Sequence, residues 1–181
     1  ADVRVVFAVI LGTGVGGAVA VGGEVLDGAN AVAGEWGHNP LPWPGDDERP
    51  GPECYCGKRG CIETFLAGPR LEDQYAAVTG NRVGAARIAE RARKEADADA
   101  VLLRYEDRLA RGLATIVNVL DPDVIVLGGG VSNIGRLYRT VPARLSRYVF
   151  SDRVDTRIVP AKLGDSSGVY GAALLQPPPP A

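Results

Sequence analysis

The chain has 181 residues, of which 46% are hydrophobic and 23% are charged, and its formal net charge at pH 7 is -2. This composition predicts one globular domain with a single core, and the near-neutral charge gives no electrostatic case for nucleic-acid binding. We expect no membrane span, because no apolar run approaches the thickness of a bilayer. We also expect a cytoplasmic location, since no export leader is visible and an unpaired cysteine count suits a reducing compartment.

The start of the chain predicts a buried strand that runs into a glycine-rich turn. Residues 3–11 are a β-rich apolar run, followed by Gly12-Thr13-Gly14-Val15-Gly16-Gly17. Two more short strands are expected over 18–21 and 24–26. Backbone amides in such a turn can approach phosphate oxygens, and Thr13 adds a hydroxyl donor. Glycines at hairpins are also common as simple turn geometry, so this pattern alone leaves both interpretations open.

All three cysteines and the only histidine lie between Gly34 and Glu63. Three thiols and one imidazole are the ligand set of a closed tetrahedral zinc site. The sequence therefore predicts a structural zinc site with the ligands His38, Cys54, Cys56 and Cys61. The alternative is a set of buried thiols with a satisfied core imidazole. Residues 42–52, which are rich in proline, glycine and acidic side chains, are expected to form an exposed loop whose charges face solvent.

The second half predicts helices around two strands. Helices are expected over 62–76 with a break at Gly68-Pro69, over 85–92, over 98–120 and over 169–175. Another is expected from Ile134, with Pro142 either starting or kinking a second helical piece that ends near Phe150. Within the long helix, Asp107 and Arg111 are expected to pair on the solvent side. Strands are expected over 123–127, which reads as buried and parallel, and over 156–159. The glycines at 128–130 follow the first of these strands, an arrangement that suits a nucleotide.

Four motifs together resemble the ROK family of sugar kinases and sugar-responsive repressors. They are the turn at 11–17, the block Glu35-Trp36-Gly37-His38, the cysteine run that ends in Cys61-Ile62-Glu63, and the segment from Asp121 to Gly130. Within the family the chain is most similar to the bacterial fructokinase (manno(fructo)kinase) branch, through residues 37–43 and 164–168. The resemblance covers nearly the whole chain but only the carboxyl-terminal part of such a kinase.

The resemblance implies an α/β fold: the C-terminal domain of an actin-like ATPase, which is ribonuclease H-like, with a mixed sheet, helices on both faces and a zinc-binding loop. Residues 1–175 would form this C-terminal lobe, with the zinc loop at 34–63 and a proline-rich tail at 176–181. The family's catalytic aspartate, which acts as general base, is then expected upstream of Ala1, as is the amino-terminal phosphate loop. The lack of any methionine fits a missing amino-terminal part. We therefore expect no catalytic residue in this chain and no sugar phosphorylation by the chain alone.

The resemblance also implies a set of binding residues and partners. The hexose would contact Glu35, His38 and Glu63. Fructose is the first expectation for this hexose, ahead of mannose and glucose. Surface or zinc-supporting roles are the alternative for the two carboxylates. ATP, with magnesium, would contact the glycine turns: Gly12, Thr13, Gly14, Gly128, Gly129 and Gly130. A homo-oligomer, such as a dimer, is expected. Two other functions remain open, namely the sugar-sensing half of a ROK repressor and a non-catalytic remnant stapled by zinc.

Overall fold

The computed structural model describes residues 3–174. Its central element is a five-stranded mixed sheet with the order β3-β2-β1-β4-β5. The strands are β1 (Val5–Leu11), β2 (Val15–Val21), β3 (Glu24–Val25), β4 (Val124–Gly128) and β5 (Arg157–Pro160). Strand β2 pairs antiparallel with β1 and β3, whereas β4 is parallel to β1 and β5. The mixed sheet and the buried parallel strand predicted at 123–127 are confirmed.

Six α-helices accompany the sheet in the described part of the chain. They are α1 (Glu63–Leu66), α2 (Gly68–Thr79), α3 (Ala85–Arg91), α4 (Ala96–Leu120), α5 (Leu137–Leu145) and α6 (Ser167–Leu174). The predicted break between the first two is confirmed, since Ala67 has an extended backbone with ψ 147°. Pro69 lies in the first turn of α2. Backbone N–H groups in the first turn have no acceptor within the helix, so a proline there breaks no helical hydrogen bond. None of the helices within residues 3–174 combines the length and the apolar character that crossing a bilayer requires.

The core lies between one face of the sheet and the long helix α4. Phe7, Val9 and Leu11 alternate along β1 and are buried, as expected for a strand with one face against a core. The facing side of α4 contributes apolar side chains at three- and four-residue steps, namely Leu102, Tyr105, Leu109 and Leu113. On the opposite face of β1, a Cβ built on Gly168 of α6 would lie 3.9 Å from Ile10 Cδ1. Helices therefore lie on both faces of the sheet, as predicted.

Three local predictions need correction or fall outside the described residues. Strand β2 begins at Val15 because Val15 pairs with Leu11. The glycine turn is therefore limited to residues 12–14, and Gly16 and Gly17 belong to the strand. Pro142 lies inside α5, which ends at Leu145, so no separate helix runs from Pro142 to Phe150. The proline-rich tail predicted at 176–181 lies outside the described residues.

The prediction that the charges of loop 42–52 all face solvent is wrong at Glu48. Its carboxylate is buried against α4, where Oε1 accepts hydrogen bonds from Arg108 Nε at 2.7 Å and Arg111 Nη2 at 2.9 Å. Oε2 accepts from Arg111 Nη1 at 2.8 Å and from the Gly45 amide at 2.9 Å. Arg111 also contacts Asp107 at 3.0 Å, so the predicted pair forms, but the arginine side chain is buried. The loop is thus fixed to the helix by two buried guanidinium groups.

Candidate active site and metal centre

Two backbone arms bring the histidine and the cysteines together. The arm that follows Gly37 pairs with the arm that precedes Glu63, since Leu41 N donates to Gly60 O and Ile62 N donates to Asn39 O, each at 2.8 Å. This antiparallel pairing places His38 beside Cys61. Between Cys54 and Cys61 the chain reverses through Gly57 and Gly60, whose φ values of 84° and 70° lie in the left-handed region that favours glycine.

The four predicted ligands form one cluster. The ligand atoms of His38, Cys54, Cys56 and Cys61 all lie within 4.8 Å of one another. Cys54 Sγ is 3.4 Å from His38 Nδ1, and the Cys56 and Cys61 sulfurs are 3.6 Å apart. Four ligands around a zinc ion, with Zn–S bonds of about 2.3 Å, place neighbouring sulfurs about 3.8 Å apart. The donor set and its spacing therefore fit a tetrahedral thiolate-imidazole centre.

The thiols of the cluster differ in their tendency to ionise. Burial, together with hydrogen bonds to Cys56 and Cys54, raises the pKa of Cys61 to about 12. For the exposed Cys56, a backbone hydrogen bond from Lys58 outweighs the effect of desolvation and lowers the pKa to about 7. A divalent cation favours the thiolate form of every thiol that coordinates it. The cluster is thus a place where bound positive charge would stabilise the ionised side chains.

A buried tryptophan holds the Glu35–His38 block against the sheet. Trp36 donates its indole N–H to Gly16 O at 2.9 Å and packs edge-on against Phe7, with ring centroids 5.9 Å apart. The next residue leaves no space for a side chain, because a Cβ built on Gly37 would lie 1.9 Å from Val15 O. Glu35 and His38 therefore flank a fixed stretch of backbone. The side chain of Glu35 is exposed, and that of His38 is partly exposed. The sequence pattern did not reveal this anchor.

Glu63 lies at the glycine turn that follows β1. Its Oε2 accepts a hydrogen bond from the Val15 amide at 2.9 Å and lies 2.7 Å from where a Cβ on Gly14 would stand. Glu63 is partly exposed and Glu35 is exposed. The negative charge of Glu63 is the largest of the influences that raise the pKa of Tyr55, and Glu35 also contributes. Both negative charges therefore disfavour ionisation of the tyrosine that separates Cys54 from Cys56.

The two predicted glycine turns line one cavity of about 680 Å³. Gly12 and Thr13 enter it from the end of β1, and Gly129 and Gly130 enter it from the end of β4. The wall is completed by the start of α2 and by residues of the 164–168 turn, namely Gly68, Pro69, Asp165, Ser166 and Gly168. Gly128 does not line this cavity; it is buried, and a Cβ there would lie 3.0 Å from Ile10 Cδ1.

A second cavity, of about 410 Å³, adjoins the first on the side of residues 53–55. Gly14, Glu63 and Tyr55 line it. Thr13 and Pro69 line both cavities. The predicted nucleotide residues and one predicted sugar residue are therefore on adjacent surfaces that meet at the turn after β1.

The glycine loop after β4 offers a direct test of which glycines the fold needs. Gly129 has φ 80°, and a Cβ there would lie 2.5 Å from Leu11 O, whereas a Cβ on Gly130 would meet nothing within 4 Å. We expect Gly129→Ala to lower the free energy of unfolding by at least about 2 kcal/mol through backbone strain and this clash. Gly130→Ala should change it by less than about 0.5 kcal/mol. Urea unfolding of both variants checks this, and equal effects would contradict it.

Comparison with known proteins identifies the family. The family model that matches the chain is described as the ROK family and covers residues 1–178. The chain belongs to the ROK family. Among curated ROK relatives, an N-acetyl-D-glucosamine kinase from Aliivibrio salmonicida is 41% identical over 176 residues, an alignment that covers 94% of this chain and 58% of the relative. The chain thus spans less than two thirds of the length of the curated relatives it matches.

Solved ROK structures support the same fold. A ROK family glucokinase from Streptomyces griseus, solved in complex with glucose and AMPPNP, superposes with a TM-score of 0.82 at 28% identity. That superposition covers 97% of this chain and 61% of the glucokinase. A ROK hexokinase from Thermus thermophilus superposes with a TM-score of 0.80 at 30% identity, covering 96% and 57%. The expected actin-like ATPase fold of a ROK kinase is therefore confirmed.

Proposed function

We propose that this chain forms the C-terminal lobe of a ROK-type hexose kinase, which transfers the terminal phosphoryl group of ATP to a sugar hydroxyl. One observation carries the proposal: Thr13 and Pro69 line both the cavity of the glycine turns and the cavity of Glu63. Phosphoryl transfer requires the phosphate donor and the acceptor hydroxyl to be held side by side, because positioning supplies most of the catalysis. The kinase relatives named above support the same activity.

On the nucleotide side, the glycine turns leave backbone atoms open to the ligand. Gly12, Gly129 and Gly130 present no side chain to the larger cavity. The first turn of α2 also lines this cavity, and the N-terminus of a helix attracts anionic phosphate groups. Thr13 is exposed at the junction of the two cavities, where its hydroxyl can donate to a phosphate oxygen. Magnesium would accompany the nucleotide as the metal of the co-substrate.

On the sugar side, we assign recognition of the hydroxyls to Glu35, His38 and Glu63. Two carboxylates accept hydrogen bonds and an imidazole N–H donates one, so together they match the alternating donors and acceptors of a polyol. When His38 uses Nδ1 as a metal ligand, its other ring nitrogen carries the proton and is a fixed donor. No residue of this chain is assigned the role of general base.

We propose zinc as the metal of the thiolate-imidazole centre. Its ligands would be His38, Cys54, Cys56 and Cys61, a complete set that leaves no open position for a catalytic water. Zinc would neutralise the thiolates and stabilise the loop that carries them. Its role would be structural, because it fixes the orientation of His38 and holds the arm that ends in Glu63.

The comparisons favour an aldohexose over fructose. The curated relative named above is an N-acetyl-D-glucosamine kinase, and the solved glucokinase holds glucose. None of the three relatives named above is a fructokinase, so the fructose specificity predicted from residues 37–43 has no support from them. We therefore propose N-acetyl-D-glucosamine or glucose as the acceptor sugar.

Substitution of Glu63 tests the proposed activity. In the full-length protein, we expect ATP-dependent production of ADP with N-acetyl-D-glucosamine or glucose, and less with fructose. Glu63→Gln removes the charge that accepts a sugar hydroxyl, so kcat/KM should fall by at least about 100-fold, or about 2.7 kcal/mol. Glu53→Gln is the matched control, because Glu53 lines the same cavity but is exposed and paired with Arg59. A coupled ADP assay over a panel of hexoses measures both, and equal rates for the two variants would contradict the assignment.

A further inference from the structure

Tyr55 makes a contact that the roles assigned above do not explain. It lies between two of the cysteines, and 84% of its surface is exposed. Its hydroxyl is nevertheless 2.7 Å from His38 Nε2, and its ring packs edge-on against the imidazole with centroids 4.8 Å apart. An exposed tyrosine side chain is normally free to turn to solvent. Here both the ring and the hydroxyl are directed to one histidine.

The nitrogen that Tyr55 contacts is the one assigned to the sugar. His38 Nδ1 faces the thiols, at 3.4 Å from Cys54 Sγ, so Nε2 is the nitrogen that remains available to a ligand. With Nδ1 on a metal, Nε2 carries a proton and donates it. The tyrosine oxygen then accepts this hydrogen bond, which is the role that a sugar hydroxyl oxygen would have.

The surroundings of the phenol are those of the proposed sugar site. Tyr55 and Glu63 line the same cavity, together with Thr13 from the phosphate turn. A hydroxyl group beside a carboxylate and an imidazole resembles one hydroxyl of a bound hexose.

We propose that the Tyr55 hydroxyl occupies the position of a sugar hydroxyl in the unliganded protein and must leave His38 Nε2 when the hexose binds. This inference rests on the proposed function and adds a residue that sets its sugar affinity. The space for such a movement exists, because the side chain of Tyr55 is exposed. Binding of the sugar then has to break one existing hydrogen bond. The apparent affinity equals the intrinsic affinity multiplied by the fraction of protein in which Tyr55 has already left His38, so it is lower.

The test compares Tyr55→Phe with the wild-type protein, loaded with zinc and at full length. Removal of the hydroxyl should strengthen binding of N-acetyl-D-glucosamine or glucose by about 2- to 10-fold, the value of one net hydrogen bond. We expect KM to fall by the same factor with little change in kcat. Lys58→Ala, an exposed change in the same loop, should leave both unchanged. Isothermal titration with each sugar and steady-state kinetics give these values.

An NMR measurement makes the outcome independent of kinase activity. His38 is the only histidine in the 181-residue sequence, so isotope labelling of this segment alone lets its ring nitrogens be followed in the full-length protein. In the unliganded protein, Tyr55→Phe should shift the Nε2 resonance, and saturating sugar should bring wild type and variant to the same value. Weaker sugar binding by Tyr55→Phe would overturn the inference, because Tyr55 would then be a lasting sugar contact. An unchanged Nε2 resonance and affinity would also overturn it, whereas wild-type protein that binds no hexose would overturn the proposed function itself.

Discussion

Replacement of Glu48 by alanine should strongly destabilise the folded protein. Glu48 accepts four hydrogen bonds, three of them from Arg108 and Arg111, and all three side chains are buried. Alanine would leave two guanidinium groups buried without their carboxylate, a change that typically costs 3–5 kcal/mol. Arg111 also donates to the carbonyls of Pro42 and Trp43, so the start of loop 42–52 depends on its position as well.

The matched control for this prediction is Asp47→Ala. Asp47 is the neighbouring acid and forms an ion pair with Arg104, but both side chains are more than half exposed. Its loss should lower the free energy of unfolding by no more than about 1 kcal/mol. Guanidinium chloride unfolding of both variants gives the comparison. If Glu48→Ala were no less stable than Asp47→Ala, the buried ion pairs would not hold the loop.

The lowered pKa of Glu48 also predicts how the free energy of unfolding changes at acidic pH. Burial alone would raise its pKa, but hydrogen bonds from Arg111 and Arg108 outweigh burial and lower the pKa from 4.5 to about 2. Because the folded-state pKa is depressed, the contribution of Glu48 to stability is complete above about pH 4.5 and is lost as the pH falls towards 2. The difference in unfolding free energy between wild type and Glu48→Ala should therefore shrink over this range.

Removal of the metal should have the second large effect. Small peptides bind a structural zinc ion with a free energy of roughly 10–16 kcal/mol, and this binding free energy stabilises their folded state. Here the arms that carry the ligands also pair through their backbone, so only part of it stabilises the loop. We expect a chelator to lower the midpoint of thermal unfolding by at least about 10 °C and to expose Cys61 to thiol reagents. Cys61→Ser should behave as the chelated protein does.

Lys58→Ala is the control for the metal experiment. Lys58 lies in the same loop with an exposed side chain, and the structure shows no side-chain ion pair for it among residues 3–174. Its substitution should leave the metal content and the midpoint unchanged. Elemental analysis by mass spectrometry and calorimetry measure the two quantities. A chelated protein with an unchanged midpoint would indicate that the thiols pack as core residues instead.

Periodic patterns predicted most of the fold. The apolar alternation of β1, the continuous run of β4 and the three- and four-residue steps of α4 each reflect one-sided or complete burial, which local sequence reports well. The strand start at Val15 could not be read from the glycines, because pairing with Leu11 decides it. The same limit applies to Pro142, which the packing of α5 accommodates inside the helix.

The candidate site was only partly predictable. His38 and the cysteines could be grouped because their side-chain chemistry is rare and concentrated in one segment. Glu48 could not, since an acidic residue in a loop rich in proline and glycine normally faces solvent. The available signal was on its partners, because Arg108 and Arg111 interrupt the apolar face of α4. The contact of Tyr55 with His38 depends on a side-chain orientation that no sequence spacing encodes.

The coordination of the bound metal tests the account most directly. X-ray absorption at the zinc edge of the purified protein should show three Zn–S bonds of about 2.3 Å and one Zn–N bond of about 2.0 Å. Cys61→Ser should lose one sulfur from that shell or lose the metal. A protein without stoichiometric zinc, or with zinc bound mainly by oxygen, would contradict the assignment of His38 and the three cysteines as the centre around which the sugar site is built.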